Sequence, residues 1–233
     1  MKVIVKLGGH LFPDKLDTNR IVAYSKVIME LHASGHQISI VIGGGRIARR
    51  YIDAARTLGA SEFICDILGI AISRVNAQLF ITSLGDIAYP QPITSLKQAL
   101  MVTERDQIIV LGGLHPGQST NAVAGLVAEA YQADLLVNAT DVDGVYSADP
   151  DEVPHAKKLD QISPENLRQL LHSKSSKAGD YALFDPVAIK IIERSRIPTR
   201  IIDGRDPANI IAAVQGKAIG TLIVSPKTEG QTQ

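Results

Sequence analysis

The stretch KVIVKLGGHLF, residues 2–12, sets a pattern that recurs along the chain: a short apolar run that ends in glycine. QISIVI at 37–42 is followed by three glycines, and QIIVL at 107–111 by two. Uninterrupted apolar runs of this length, with a helical pattern usually after them, are typical of parallel strands buried on both faces. The sequence therefore predicts an α/β fold whose mainly parallel sheet carries helices on both sides.

The remaining elements continue this alternation, less regularly in the second half. Helices are predicted over about 17–34, 47–58, 61–84, 120–130, 163–172 and 185–195, and further strands over 134–140, 199–202 and 221–224. DVDGVYSADP at 141–150 predicts a tight hairpin with Asp143–Gly144 as its turn. Because no linker or internal repeat interrupts the pattern, we expect a single domain over 1–233.

Composition excludes several classes of protein. The 233 residues include 24 Lys or Arg and 24 Asp or Glu, so zero net charge gives no general attraction to nucleic acid or to an anionic membrane. The single cysteine, Cys65, excludes a disulfide framework within the chain, and the scattered histidines argue against a zinc site. The start MKVIVKLGG is too short for a signal peptide, and no apolar run approaches the ~20 residues of a membrane span. We expect a cytoplasmic protein with no nucleic-acid or membrane partner.

The glycines at the strand ends are suited to binding an anion. Glycine lets backbone N–H groups approach a ligand, and consecutive N–H groups form a nest for phosphate. Lys6 adds a positive charge just before Gly8 and Gly9. The alternative is a plain turn beside a solvated lysine. Neither GxxxxGK[ST] nor GxGxxG occurs, so a Walker loop and a dinucleotide fingerprint are excluded.

A second glycine loop is followed by arginines. In VIGGGRIARRYI at 41–52, Arg46 and Arg49 lie three positions apart on one face at a helix N-terminus, which attracts anions. A surface basic helix is the alternative, and for Arg50 the preferred one. Since ligands gather at the carboxyl ends of parallel strands, one crevice is expected to be lined by the glycines at 8–9, 43–45 and 112–113.

The loop within LGGLHPGQSTNAVAG, 111–125, is suited to a small polar ligand. Its rigid turns and hydrogen-bonding side chains lead into a helix for which three caps are possible: Ser119, Thr120 and Asn121. His115 is interpreted as a residue that positions the loop, with a catalytic base as the alternative.

Together these motifs resemble the amino-acid kinase family, and within it the archaeal-type uridylate (UMP) kinases. The resemblance rests on GGH at 8–10, GGGRIARRYI at 43–52, Asp66 in CDILGIAISRVNAQ at 65–78, GGLHPGQST at 112–120 and TDVDGVYSADP at 140–150. KAGDYALFDPVAIKII at 177–192 resembles the later helical region, so the likeness covers about 2–226. It implies a three-layer α/β/α sandwich, with an acceptor lobe over about 1–130 and a nucleotide lobe over about 131–226.

The resemblance implies an ATP-dependent nucleoside monophosphate kinase that converts ATP and UMP to ADP and UDP in pyrimidine biosynthesis, with Mg²⁺ accompanying ATP. By matching positions, the residues expected in catalysis are Lys6, Arg49 and Asn121. Those expected to hold ATP are Gly9, His10, Gly45, Arg49, Thr140, Tyr146 and Asp149. Those expected to hold UMP are Gly44, Asp66, Leu114, His115, Pro116, Gly117, Gln118, Ser119 and Thr120. No protein side chain is assigned to the metal. Relatives of this type form hexamers built as trimers of dimers, for which the helix at 61–84 is the expected contact.

Two of these positions depart from the family pattern, and alternatives stay open. His10 stands where Ser or Thr is usual, and Asn121 where many members have Asp. A second lysine of the wider family has no clean match here, with Lys174 and Lys177 as candidates. Asp66 is alternatively a surface acid and Tyr146 a packed hairpin residue. The alternatives for the whole chain are a sibling kinase for another small acid or phosphate, a non-catalytic nucleotide- or oxyanion-binding protein, and a generic α/β domain whose glycines are only turns.

Overall fold

The computed structural model describes residues 1–102, 107–150, 153, 155–172 and 184–226. Its helices are α1 (Thr18–Ala33), α2 (Gly45–Thr57), α3 (Glu62–Leu84), α4 (Leu96–Val102), α5 (Thr120–Tyr131), α6 (Pro164–His172), α7 (Pro186–Ser195) and α8 (Ala208–Val214). Its strands are β1 (Lys2–Leu7), β2 (Gln37–Ile42), β3 (Ile109–Leu111), β4 (Leu135–Thr140), β5 (Val145–Tyr146), β6 (Lys158–Leu159), β7 (Gln161–Ile162), β8 (Thr199–Asp203) and β9 (Thr221–Ile223). Lys174 and Lys177 lie outside the described residues.

Within the described part of the chain, seven strands form one sheet in the order β3-β2-β1-β4-β8-β9-β7. Neighbouring strands run parallel except β8 and β9, which are antiparallel. β1 lies between β2 and β4, so Lys6 is flanked by Val41 and Asn138. The prediction of a mainly parallel sheet is confirmed.

The sheet separates two hydrophobic clusters, because alternate residues of each strand face opposite sides. In β1, Ile4 belongs to a cluster with Val123 of α5 and Ile189 of α7. Val3 and Val5 belong to the other cluster, which includes side chains of α1 and α3. Helices therefore cover both faces, as expected for a three-layer α/β/α sandwich.

The predicted hairpin at 141–150 is wrong. β5 pairs instead with β6, antiparallel, and the Val145 N–H donates to the Thr221 hydroxyl at 2.8 Å. The Asp-Gly dipeptide signals a local turn but does not determine the partner of the strand that follows it. Two further helices, α4 and α8, were not predicted, and β3 is shorter than the run at 107–111.

Helix α3 is more apolar than the sequence analysis allowed for. An 18-residue window within Glu62–Ile87 has a mean hydropathy of 1.5. By length and composition alone, this helix could span a membrane. In this fold, however, the helix packs between other elements of the chain, and Phe80 and Ala77 are fully buried. Its buried side also includes the polar residues Ser73 and Asn76. The same face meets the glycine loops described below.

Candidate active site

The carboxyl ends of β1, β2, β3 and β4 open onto one cavity of about 770 Å³. Glycines from three loops line it: Gly8, Gly9, Gly43, Gly44, Gly45 and Gly113. The predicted convergence of the glycine-ended strands on one crevice is confirmed. It arises because the strands are parallel neighbours, so their carboxyl ends share one edge.

The first two glycine loops touch through their backbones. A Cβ atom on Gly9 would lie 2.5 Å from the Cα of Gly45. Gly45 itself has φ of +70°, and a Cβ there would lie 2.6 Å from the carbonyl oxygen of Phe12. Any side chain at either glycine would force the loops apart. The floor of the cavity is therefore bare peptide backbone, which suits contact with phosphate oxygens.

Lys6 is the one lysine on the described wall of this cavity. Lys6 lies in β1, an inner strand of the sheet, and is only 9% exposed. Burial lowers the pKa of the ammonium group to about 8; Asp141 nearby raises it and Arg49 lowers it. A lysine so poorly hydrated is readily stabilised by an anionic ligand, because the ligand restores the favourable field that water no longer supplies.

The cavity wall is strongly cationic although the whole chain is neutral. Its described cationic residues are Lys6, Arg20, Arg46, Arg49 and Arg205. They face two carboxylates, Asp66 and Asp141. The guanidinium of Arg205 is held by Asp203 through hydrogen bonds of 2.8 and 2.7 Å. A concentration of positive charge in one cleft favours ligands with several negative charges.

The His10 ring joins two loops instead of pointing a proton at the cavity. Its Nε2 atom donates to the Gly204 carbonyl oxygen at 3.0 Å and lies 3.4 Å from the Tyr24 hydroxyl. Burial lowers the pKa of the ring, outweighing the opposing effect of the bond to Gly204. In the neutral ring with Nε2 protonated, Nδ1 is only an acceptor. Any phosphate contact at this loop then falls to the backbone N–H groups.

The loop at 114–120 is fixed to α3. The Gly117 N–H donates to the Asp66 carboxylate at 2.7 Å, and Arg74 donates to the carbonyl oxygens of Gly113 and Leu114 at 3.0 and 3.2 Å. Leu114 is 4% exposed and contributes to the core. Asp66 thus faces the cavity and orders the loop at the same time.

Of the three possible caps of α5, Ser119 is the one used. Its hydroxyl oxygen accepts from the N–H groups of Asn121 and Ala122, both at 3.1 Å. The hydroxyl proton is donated to Asp185, whose other carboxylate oxygen caps α7. Two helix N-termini are therefore joined through one serine and one aspartate.

The structure brings most of the predicted site residues to the cavity wall: Lys6, Gly9, His10, Gly44, Gly45, Arg49, Asp66, Gln118, Ser119, Thr120, Asn121 and Thr140. The remaining predicted residues are not on its wall: Leu114, His115, Pro116, Gly117, Tyr146 and Asp149. The Tyr146 hydroxyl instead donates to Asp143 at 3.0 Å.

Several wall residues were not predicted. Arg20 comes from α1, Ser73 from α3, Asp141 from the end of β4 and Arg205 from the end of β8. For Arg205 a signal existed, since TRIIDGR at 199–205 is another apolar run that ends in glycine. Arg20 and Ser73 lie on helices whose approach to the cavity depends on packing, so local patterns give no signal for them.

Among the residues that the structure describes, no group of three His, Cys, Asp or Glu is arranged to hold a metal ion. The cavity's two carboxylates come from different elements, Asp66 from α3 and Asp141 from the position directly after β4. Mg²⁺ retains water readily and is commonly held by one or two carboxylates together with substrate phosphates. This donor set therefore fits a metal that arrives with a nucleotide more than a resident metal centre.

Comparisons with known proteins agree with this geometry. The chain is 46% identical to uridylate kinase from Methanococcoides burtonii over 221 residues, covering 95% of this chain and 94% of that protein. It is 46% identical to uridylate kinase from Hyperthermus butylicus over 222 residues, covering 95% and 97%. The crystal structure of uridylate kinase from Archaeoglobus fulgidus superposes with a TM-score of 0.87 at 41% identity, covering 96% of this chain and 100% of that one.

The family model described as the amino acid kinase family matches residues 1–203. That match includes all three glycine loops, α3 and the strand ends that form the cavity. On this evidence from both sequence and structure, the chain belongs to the amino acid kinase family.

Proposed function

We propose that this chain is an ATP-dependent UMP kinase, which transfers the terminal phosphoryl group of ATP to the phosphate of UMP and releases ADP and UDP. The observation that carries the proposal is a buried lysine, Lys6, at the meeting point of glycine loops in a cationic cleft. The near full-length likeness to archaeal uridylate kinases supports UMP as the acceptor.

The donor side of the proposed site lies around the first loop and the end of β4. We assign ATP phosphates to the backbone at Gly9, His10 and Gly45, with Arg49 as a positive charge. Thr140, which lies on the cavity wall next to Asp141, is also assigned to ATP. Tyr146 and Asp149 are assigned to the adenosine end by the resemblance alone. We propose that the acceptor lobe ends and the nucleotide lobe begins near residue 131.

The acceptor side of the proposed site lies between the glycines at 43–45, the triple-glycine loop, and α3. We assign the UMP phosphate to Gly44, the ribose hydroxyls to the carboxylate of Asp66, and the uridine to the loop at 114–120. Support comes from Asp66, Gln118, Ser119 and Thr120, which line the same cavity, and from the hydrogen bond that joins Asp66 to Gly117 of this loop. Leu114 and Gly117 would act through the backbone, since their contacts shape the loop.

The chemistry asked of the protein is mainly positioning and charge neutralisation. The acceptor is already a phosphate oxygen and needs no strong general base. Lys6 and Arg49 supply positive charge where negative charge moves between the two phosphates. Asn121, at the start of α5, is proposed to orient these groups without the charge of the aspartate usual at this position. Mg²⁺ bound to ATP would neutralise phosphate charge, and Asp141 is a carboxylate on the cavity wall directly after Thr140, which is assigned to ATP.

The exposed face of α3 supports assembly with further copies of the chain. Exposed apolar residues lie along it, with exposed fractions of 60%, 45%, 42% and 64% for Phe63, Ile64, Ile67 and Val75. Apolar surface of this kind is often buried in protein interfaces. We propose a dimer through α3 within a hexamer, working in the cytoplasm in pyrimidine biosynthesis. Light scattering of the purified protein measures the assembly.

The test is a coupled assay of ADP release with ATP, Mg²⁺ and single acceptors: UMP, CMP, dUMP, AMP, aspartate, glutamate and carbamate. Turnover with UMP and not with the amino acids or carbamate is expected. Turnover with another acceptor in place of UMP would establish a sibling kinase. Absence of turnover, with ATP or UMP still bound in calorimetry, would establish a binding protein.

A further inference from the structure

A buried polar side chain of α3 binds the carbonyl groups of the triple-glycine loop. Asn76 is 4% exposed, and its Nδ2 atom donates to the carbonyl oxygens of Gly43 and Gly44 at 3.0 and 3.2 Å. In a trans peptide the C=O of one residue and the N–H of the next point in opposite directions. By fixing these two carbonyl groups, Asn76 therefore turns the N–H groups of Gly44 and Gly45 away from α3. Both residues line the cavity.

Two residues of the same helical turn, Ser73 and Arg74, hold the loop that begins at Gly112. The hydroxyl of Ser73, 1% exposed, accepts from the Gly113 N–H at 2.7 Å. Arg74 donates to the carbonyl oxygens of Gly113 and Leu114. Residues 73–76 thus span the gap between the two loops, and one rigid helical turn sets their separation.

Close packing around these loops leaves no room for a side chain at several of their glycines. A Cβ atom on Gly112 would lie 2.7 Å from the Arg74 backbone nitrogen. A Cβ atom on Gly113 would lie 2.9 Å from a side-chain carbon of Ile70. On the other loop, a Cβ atom on Gly44 would lie 2.5 Å from the Ala48 Cβ atom on α2, but at an ordinary contact distance of 3.4 Å from the carbonyl oxygen of Gly69 on α3. Gly112 and Gly113 are therefore required by the approach of α3, and Gly44 by the first turn of α2.

We propose that Asn76 is a positioning residue, which aims the backbone N–H groups of Gly44 and Gly45. Ser73 and Arg74 hold the loop at 112–120, the acceptor loop, at a fixed distance from these N–H groups. The inference rests on the proposed function and deepens it, because it assigns the alignment of the two reacting phosphates to one turn of α3. Asn76 touches no substrate in this scheme; it acts through the peptide groups that do.

The scheme predicts different kinetic effects for neighbouring residues. Asn76→Ala loosens the loop assigned to both phosphates, so kcat is expected to fall about tenfold or more, since reaction needs close alignment. Arg74→Met loosens only the acceptor loop, so it is expected to raise KM for UMP about fivefold, with KM for ATP unchanged. Ser25→Ala is the matched control, because Ser25 is a buried polar residue, 2% exposed, whose hydroxyl donates to the Val22 carbonyl oxygen within its own helix, α1.

Amide hydrogen exchange of the unliganded protein gives a second readout that does not depend on turnover. Asn76→Ala is expected to speed exchange at Gly43 and Ala48, whose N–H groups donate to the carbonyl oxygens of Leu7 and Gly44, and Ser25→Ala to leave it unchanged. Unchanged exchange in Asn76→Ala, or a kcat within twofold of wild type, would overturn the inference. Failure of the proposed function is seen separately, as wild-type protein that does not turn over UMP; the exchange measurement then still decides whether Asn76 positions the loop.

Discussion

The carboxylate of Asp66 on α3 accepts a hydrogen bond of 2.7 Å from the backbone N–H of Gly117, which is 51 residues further along the chain. Asp66 therefore shapes the acceptor loop before any ligand arrives. A carboxylate has further lone pairs, so the same group can accept from ribose hydroxyls while it holds the loop. This double use makes Asp66 sensitive to a change that keeps its shape but removes its charge.

Asp66→Asn is expected to raise KM for UMP about tenfold and to leave KM for ATP within twofold, because the loss falls on the acceptor wall alone. Steady-state kinetics with each substrate varied in turn measures the split. Asp53→Asn, an exposed carboxylate on α2, is the control and should match wild type. A larger effect on ATP than on UMP would reverse the assignment of the two sides of the cavity.

Lys6→Ala is expected to lower kcat about a hundredfold or more and to change the affinity for UMP much less, since the lysine is assigned to the moving phosphoryl group. Stopped or coupled assays give kcat, and calorimetry gives the UMP affinity. The exposed Lys26 provides the control variant Lys26→Ala. An unchanged kcat in Lys6→Ala would remove Lys6 from the reaction.

The pH dependence follows from the same lysine. Its pKa of about 8 in the unliganded protein means that the ammonium form, which carries the positive charge, is lost as the pH rises through 8. Because kcat/KM reports groups in the free enzyme, it is expected to fall above pH 8. Bound phosphates stabilise the ammonium form, so kcat should fall only at higher pH. A profile of both parameters from pH 6 to 10 tests this, and a kcat/KM that stays level to pH 9.5 would contradict it.

His10→Ala is expected to raise KM for ATP several-fold, because the loop at 8–10 loses its bond to the Gly204 carbonyl oxygen. His10→Gln can extend an amide N–H toward the same oxygen and should recover most of the affinity. Since burial lowers the pKa of the ring below its ordinary value, the neutral form acts, and the two variants should keep this order from pH 6.5 to 8. A wild-type KM for ATP that rises steeply over that range would point to a charged His10.

Asp185→Ala removes the cap of α7 and the acceptor of the Ser119 hydroxyl together. The expected loss is about 1–2 kcal/mol in the free energy of unfolding, the usual effect of losing an N-cap. Urea denaturation monitored by circular dichroism measures it. Asp185→Asn keeps one acceptor oxygen for the α7 cap, but its amide nitrogen cannot accept from the Ser119 hydroxyl, so it should lose less than Asp185→Ala. Equal losses in the two variants would show that the contact to Ser119 and the charge, and not the cap of α7, stabilise this junction.

The comparison between sequence and structure is most informative at the glycine loops. The apolar runs that precede Gly8, Gly43 and Gly112 were visible as local patterns, and so was their shared edge once the strands were taken as parallel. The reasons for the individual glycines were not visible. Gly9 is required by the approach of Gly45, and Gly112 by the approach of α3. Close contacts of this kind join distant segments and leave no periodic trace.

The hairpin and the α5 cap show the same limit. A turn dipeptide at Asp143–Gly144 indicated a reversal of the chain, but the partner of β5 lies beyond it in β6. Three side chains were chemically able to cap α5, and the choice of Ser119 depends on Asp185, 66 residues away. In each case the sequence limited the options by local chemistry, and a long-range contact selected one of them.

By itself, the sequence determined the main alternation of strands and helices, the mainly parallel sheet and the edge where a ligand would bind, because hydrophobic periodicity and glycine are local signals. Lys6 and Arg49 were indicated by their places at the glycine loops, and Asp66 by the resemblance to the amino-acid kinase family. Only the tertiary structure decided that His10 faces Gly204, that Arg20 and Arg205 join the cleft, and that Asn76 holds the triple-glycine loop. These outcomes depend on how helices pack across the sheet, which is settled by the burial of the whole core and not by any short stretch of residues.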